Sequence, residues 1–397
     1  MKKLFLAGAA ALMTLSSQAM ADGHVVKIGV LMGFTGPIES LTVGIAQGAR
    51  IALEEANASG AMKSGMKFVV SAADTTCVDA SAATASAERL INDYGVAAIV
   101  GALCSGSTIA SANNVAIPNG VVMISPASTS PAITGLNDNG LVFRTAPSDA
   151  RQGQVLAQVL SDKGIKNVAL SYTNNDYGKG FADAFTASFT AMGGKVAMSA
   201  GHEESKADYS SEVAALAATG AKHLVVLGYL NGGGKAIIQE SIKSGAFGSF
   251  SGGDGMIGKS IIEALGDGID GMIGTKPGGE NEGAKAFAMV AKKNNLAADG
   301  PFQGEAYDAA AIIALAAQAA GTGSRGAIKS KIMEVANAPG EKIWPGQLAK
   351  ALKILADGGQ VNYEGASLVE LNDAGDPPGS YLELVVKGGE WATVKAR

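Results

Sequence analysis

Histidine is scarce in this 397-residue chain, and the three present, His24, His202 and His223, stand far apart. None has metal-ligand spacing with a second histidine or a cysteine, so no metal and no cofactor are expected. Ser105 lacks the G-x-S-x-G setting of an exposed nucleophile, and no histidine can be assigned to it as a base. An enzyme is therefore not expected. Basic clusters are lacking too. Lys and Arg number 31 against 36 Asp and Glu, a net charge of −5, which excludes nucleic acid as the natural partner. Aromatic residues make up only 5%, and past the N-terminus no apolar run is long enough to cross a bilayer.

What is present begins with a leader. Lys2 and Lys3 precede an apolar run over 4–15, and Ala19-Met20-Ala21 is a small-x-small cleavage site. The run is too short for a membrane anchor, and no cysteine follows it closely to carry a lipid. The expectation is export to the periplasm with cleavage after Ala21. That leaves 376 residues (397 minus 21) with a net charge of −7, once Lys2 and Lys3 are gone. Such a length exceeds a usual single core and implies two domains. The cysteines number two, Cys77 and Cys104. An even pair in an exported chain reads as a disulfide; the alternative is two free buried thiols.

Apolar β-rich runs alternate with Ala-rich helical runs almost throughout. Strands are expected at 25–32, 68–72, 97–100 and 121–124, with helices at 44–56, 80–93 and 109–117. A polar break at 144–149 follows. The rhythm then restarts, with helices at 152–163, 177–191, 210–219 and 235–244 and strands at 167–172, 195–199 and 223–227. A second break at 275–279 precedes helices at 282–294 and 306–320 and late strands at 367–371 and 381–387. This βα alternation predicts parallel sheets covered by helices on both faces. Two such series joined by short polar connections predict two similar lobes with a cleft between them.

Two hydroxyl-rich turns, Ser105-Gly-Ser-Thr108 and Ser125-Pro-Ala-Ser-Thr-Ser130, each follow a short strand. Ligands of open α/β sheets bind beyond the carboxyl ends of strands. Turns of small residues there offer backbone N–H groups and hydroxyls to a carboxylate. Ser105 is also placed to cap the helix after it. Gly253-Asp-Gly-Met-Ile-Gly-Lys-Ser260 fits the G-x-x-x-x-G-K-S phosphate-loop pattern. With 54 glycines in the chain, chance matches are expected, and the exported compartment lacks nucleoside triphosphates. The better reading is a glycine turn that brings Asp254 to the cleft.

Taken in order, several motifs resemble the periplasmic branched-chain amino-acid-binding family, the leucine/isoleucine/valine-binding proteins of ABC importers. They are Lys27-Ile-Gly-Val-Leu-Met-Gly-Phe-Thr-Gly-Pro-Ile38, Gly101-Ala-Leu-Cys-Ser-Gly-Ser-Thr108, Met123-Ile-Ser-Pro-Ala-Ser-Thr129, Phe143-Arg-Thr-Ala146, Asp176-Tyr-Gly-Lys-Gly180, Gly228-Tyr229, Gly253-Asp-Gly255 and Tyr307-Asp-Ala-Ala310. Singly they are weak; their order and spacing together are specific and span nearly all of the mature chain. The resemblance implies an α/β, type I periplasmic binding fold of two lobes joined by three crossing segments. Lobe 1 would comprise 22–146 plus 276–371, and lobe 2 147–275 plus 372–397.

The resemblance also implies a site. Ser105 would bind the ligand carboxylate, and Ala127, Ser128 and Thr129 would meet carboxylate and ammonium. Tyr177 and Tyr229 would come from the second lobe on closure, Asp254 would pair with the α-ammonium, and Phe302 and Leu41 would line the side-chain pocket. Leu41 stands where a larger aromatic residue is common, Asp254 is one methylene shorter than the family's usual Glu, and 343–378 matches poorly. Gln303 and Glu305 face either pocket or solvent. The implied role is a monomeric solute-binding protein that delivers an amino acid, of aliphatic or branched-chain type, to an inner-membrane ABC permease complex. The alternatives are a carrier of a short amide, urea or organic acid, or a ligand sensor docking to a membrane receptor.

Overall fold

A computed structural model describes residues 25–298 and 300–397; the leader lies outside the described residues. The strands are β1 (Val25–Met32), β2 (Lys67–Asp74), β3 (Ala98–Gly101), β4 (Val122–Ser125), β5 (Val142–Arg144), β6 (Asn167–Thr173), β7 (Lys195–His202), β8 (His223–Leu227), β9 (Phe250–Gly252), β10 (Ile273–Pro277), β11 (Glu341–Ile343), β12 (Val361–Tyr363), β13 (Tyr381–Lys387) and β14 (Glu390–Ala396). They form a five-stranded sheet ordered β2-β1-β3-β4-β5, a seven-stranded sheet ordered β14-β13-β10-β9-β8-β6-β7, and the small pair β11-β12. The first sheet is parallel throughout. The second is parallel from β7 to β10 and ends in the antiparallel β13 and β14. The α/β class and the two parallel-rich layers expected from the alternation are present.

Period-2 burial shows why the strands are apolar along their length. Val26, Ile28, Val30 and Met32 of β1 pack with helices Glu39–Ala58 and Gln303–Ala320, while Leu31 joins Leu90, Ile91 and Ile99 on the opposite face. Both faces are covered, so neither is polar. Helix Gln303–Ala320 is buried over most of its length. Small residues let its neighbour come close: a Cβ on Gly48 would lie 2.3 Å from the Gln303 carbonyl oxygen.

The chain passes between the two large sheets three times, over 145–148, 278–281 and 372–380. Side chains tie these passages together. The Arg144 guanidinium grips Asp376 and also donates from Nη1 to the carbonyls of Ser128 and Ser130. Gln152 donates to the Thr275 carbonyl at 3.0 Å, and Tyr381 to the Ser148 carbonyl at 3.0 Å.

Two expectations are corrected. The break expected at 275–279 is partly strand: β10 runs through Pro277, which pairs with Tyr381 at the last position of the strand. A proline there ends a ladder rather than preventing it. Residues 367–371 form no strand: a turn covers 365–368, and 369–371 are irregular. Asp308 accepts from the backbone N–H of Ala366 and Ser367 and from the hydroxyls of Ser367 and Tyr363, and Leu368 takes φ 56°. A buried carboxylate takes the bonds that a strand partner would have taken. The poorly matched 343–378 region holds helix Leu348–Ala356 and β12, the latter paired with β11.

Candidate functional site

The two hydroxyl turns stand side by side at the carboxyl ends of β3 and β4, because these strands are neighbours in the sheet. They are bonded to each other. The Ala102 carbonyl accepts from the hydroxyls of Thr108, Ser125 and Ser128, and Thr108 and Ser128 share a 2.7 Å hydroxyl–hydroxyl bond. Ser105 Oγ accepts from the Ser130 backbone N–H at 3.1 Å. It is not the helix cap: Cys104 occupies that position, with no side-chain cap bond. Cys77 and Cys104 form a disulfide with Cα atoms 5.3 Å apart, which anchors the Ser105 turn to the loop after β2.

The facing wall comes from the second sheet. Tyr177 begins helix Asp176–Ala191, whose N-cap Asn175 accepts from the Gly178 N–H. Its ring stacks on Tyr229 with centroids 5.3 Å apart and planes 16° apart. The Tyr177 hydroxyl donates to Asp254 Oδ1 at 3.2 Å and accepts from the Gly255 N–H at 3.3 Å. Asn175 donates to the Tyr229 hydroxyl. Asp254 Oδ2 has no partner. Burial pushes this carboxyl up to about 6, against the bonds that favour its ionised form.

The phosphate-loop resemblance finds its explanation here. The glycines are needed for close packing rather than for a phosphate. A Cβ on Gly253 would meet the Phe181 ring at 2.3 Å, and one on Gly255 would meet the Gly228 carbonyl at 2.5 Å. These approaches press the turn against β8 and helix Asp176–Ala191 and hold Asp254 in line with Tyr177.

Between the two walls lies a cavity of about 30 Å³ lined by Ser105, Ala127, Tyr177, Tyr229, Asp254, Phe302 and Leu41. Seven of the nine residues singled out in the sequence therefore meet at one place. Ser128 and Thr129 do not line it. The Ser128 hydroxyl is used up on the Ala102 and Leu103 carbonyls and on Thr108. The Thr129 hydroxyl has no bonding partner but stands near enough to the Asp149 carboxyl to favour its ionisation. Phe302 adopts φ 66° at the N-cap of helix Gln303–Ala320, which turns its ring toward the cavity.

Sequence reasoning missed Ile38, Ile45 and Leu103 in the lining. Ile38, Leu41 and Ile45 are spaced i, i+3, i+7 around the start of helix Glu39–Ala58, so one helix face supplies an apolar wall. That spacing was a usable signal for Ile45. Glu305 is buried away from the cavity, with its carboxyl pushed up to about 7 by burial. Gln303 lines a larger groove of about 480 Å³, with Trp391 and Gly258 across from it, and Leu41 belongs to both spaces. Among the described residues there is no group of metal-ligating side chains, and no helix is long and apolar enough to cross a membrane.

What this arrangement can do is bind. It joins hydroxyl and amide donors on one wall to a carboxylate on the other, with aliphatic and aromatic surface between. A small dipolar molecule with an apolar tail satisfies both walls at once.

Comparison with known proteins gives four findings. The family described as periplasmic binding protein matches residues 25–375. The Leu/Ile/Val/Thr-binding protein of Salmonella typhimurium is 32% identical over 276 residues, which cover 69% of this chain and 73% of that one. Among solved structures, a leucine-binding protein from Thermotoga maritima superposes with a TM-score of 0.78 at 25% identity, covering 94% of this chain and 98% of its own. A solute-binding protein from R. palustris in complex with benzoate superposes with a TM-score of 0.75 at 18% identity, covering 94% and 96%; that likeness concerns the fold alone.

Proposed function

The chain belongs to the periplasmic binding protein family, a family of solute-binding proteins and not of enzymes, and on that premise we propose that it captures an aliphatic L-α-amino acid between its two sheets. In this reading lobe 1 is 22–146 plus 278–371 and lobe 2 147–277 plus 372–397; the boundary expected at 275/276 moves because β10 runs through Pro277 in the second sheet. The leader directs export to the periplasm and is cut after Ala21. A monomer then presents its loaded form to the permease of an ABC importer.

One observation carries the choice of ligand class. Asp254 brings a buried carboxylate, one of whose oxygens has no partner, to the wall of a small cavity whose opposite wall carries the Ser105 hydroxyl and the Ala127 turn. A buried acceptor of this kind needs a cation, and the α-ammonium supplies it while the α-carboxylate meets Ser105 and the Ala127 turn. An organic acid without an ammonium would set its own charge against Asp254. The apolar residues Ile38, Leu41, Ile45, Leu103 and Phe302 favour an aliphatic side chain. Tyr177 and Tyr229 close over the ligand, so the closed form is selected by its extra contacts. Thr129 stands behind the lining, beside the Asp149 carboxyl, while Ser128 holds the turn in shape.

The test is titration calorimetry with L-leucine, L-isoleucine, L-valine and the remaining common amino acids. Stoichiometric binding of at least one aliphatic member is expected. Absence of heat and of any thermal shift across the set rejects the proposal.

A further inference from the structure

Behind the Asp254 wall, at the point where the chain first crosses between the sheets, five buried oxygen atoms have no partner. They are Thr129 Oγ1, both carboxylate oxygens of Asp149, Gln152 Oε1 and Asp254 Oδ2. Asp149 opens helix Asp149–Asp162, where the Ser148 side chain is the cap. It is fully buried, as are Thr129 and Gln152. Its backbone N–H donates to the Thr129 carbonyl at 2.8 Å. That bond fixes the helix start against the second hydroxyl turn and brings the Asp149 carboxyl beside the Thr129 hydroxyl. Gln152, one turn further on, donates to Thr275; its amide also lies close enough to Asp254 to favour the ionised carboxylate, while its Oε1 stays unpartnered.

Apart from the Thr129 hydroxyl beside Asp149 and the neutral Gln152 amide beside Asp254, the set consists of acceptors. Nothing in it neutralises two carboxylates. The charged neighbour is Arg144, whose guanidinium is committed to Asp376 and to backbone carbonyls. The other titratable groups facing the pair are Tyr177, Tyr229 and Tyr381, with Glu305 beyond Asp254 and Lys276 on the side of Glu305. Unpaired buried charge is expensive, so the pair must share a proton or hold a cation.

We propose that Asp149 is a second acid of the binding site, which shares one proton with Asp254 in the free protein and gives it up to solvent when the ligand's ammonium takes its place. This deepens the amino-acid reading and rests on it. The ammonium meets Asp254, which lines the cavity; Asp149, which does not line it, acts through its charge on Asp254. The balance is simple. The protonated pair and the ligand cation give a doubly ionised pair holding the cation, and one proton passes to the buffer. Burial and mutual repulsion favour the proton in the free state, and affinity should rise with pH through the titration of the pair.

The experiment is calorimetry of L-leucine at pH 6 in two buffers of different protonation enthalpy, on wild type and on Asp149→Asn. Wild type is expected to release most of a proton per ligand. Asp149→Asn is expected to release clearly less than wild type and to bind L-leucine at least tenfold more weakly at pH 8. Its affinity for 4-methylpentanoate, which lacks the ammonium, should not fall. An Asp149→Asn protein with wild-type affinity and wild-type proton release overturns the proposal while leaving the amino-acid reading intact. A wild type that binds no amino acid rejects the amino-acid reading itself. Should the variant fail to fold, infrared spectroscopy of the wild type decides: a protonated-carboxyl stretch that L-leucine abolishes supports the pair, and its absence at pH 6 overturns it.

Discussion

Arg144 and Asp376 clasp each other in two parallel bonds, Nε to Oδ1 at 2.5 Å and Nη2 to Oδ2 at 2.8 Å. The residues are 232 positions apart and join the first crossing between the sheets to the third. Thr134 completes the set by bonding to both partners.

Removing one member leaves the other buried and unpaired. Arg144→Ala is expected to cost about 3–5 kcal/mol of unfolding free energy, measured by urea denaturation. Asp376→Asn, which keeps the shape, should cost less.

The Cys77–Cys104 bridge closes a loop spanning a sequence separation of 27. In the chain-entropy model its loss costs about 3–4 kcal/mol. The double variant Cys77→Ser/Cys104→Ser should show that loss in denaturant. It should also weaken L-leucine binding, since the bridge anchors the turn of Ser105.

Asp254 carries a carboxyl raised by burial to about 6. The folded protein therefore holds a proton that the unfolded chain releases near pH 4. Its stabilising contribution is complete below about 4 and is lost as pH rises through about 6. Asp254→Asn should thus stabilise the ligand-free protein at pH 8 by of the order of 2 kcal/mol, and have little effect at pH 4. The same substitution should reduce amino-acid affinity by at least a hundredfold. Thermal unfolding at the two pH values checks the first part and calorimetry the second.

His223 works in the opposite sense. It sits between the hydroxyls of Ser249 and Ser251, and burial lowers its titration to about 4. Stability present above pH 6.5 is lost as pH falls toward 4. His223→Gln should flatten the acid limb of a pH–stability curve.

Leu41 lines both the small cavity and the outer groove. Leu41→Phe should narrow the passage and lower affinity for L-leucine relative to L-valine about tenfold, a difference of the size that one methylene commands in an apolar pocket. Equal losses for both ligands would remove Leu41 from side-chain selection.

The fold and one class of site residue were legible because they follow from local rules. Period-2 apolar runs and Ala-rich helices are visible in any window, and Ser105, Tyr177 and Asp254 lie in short motifs. What was not legible depends on distant partners. The turn at 365–368 takes its shape from Asp308, some sixty residues earlier. Ser128 looks like a ligand donor in its motif, yet the Ala102 and Leu103 carbonyls consume it. Asp149 falls in the polar break at 144–149, ahead of the helix expected from 152, and no motif marks it as a site residue. Only the assembled hinge shows that it has no partner.

Asp254 is carried on a turn whose glycines cannot grow a side chain without striking Phe181 or the Gly228 carbonyl. The acid itself is held by a side-chain bond to Tyr177 rather than by want of room for a Cβ. Cargo preference can thus change at this one side chain, while the platform that presents it stays the same. A lineage changing its nutrient would rewrite position 254 long before it could touch 253 or 255.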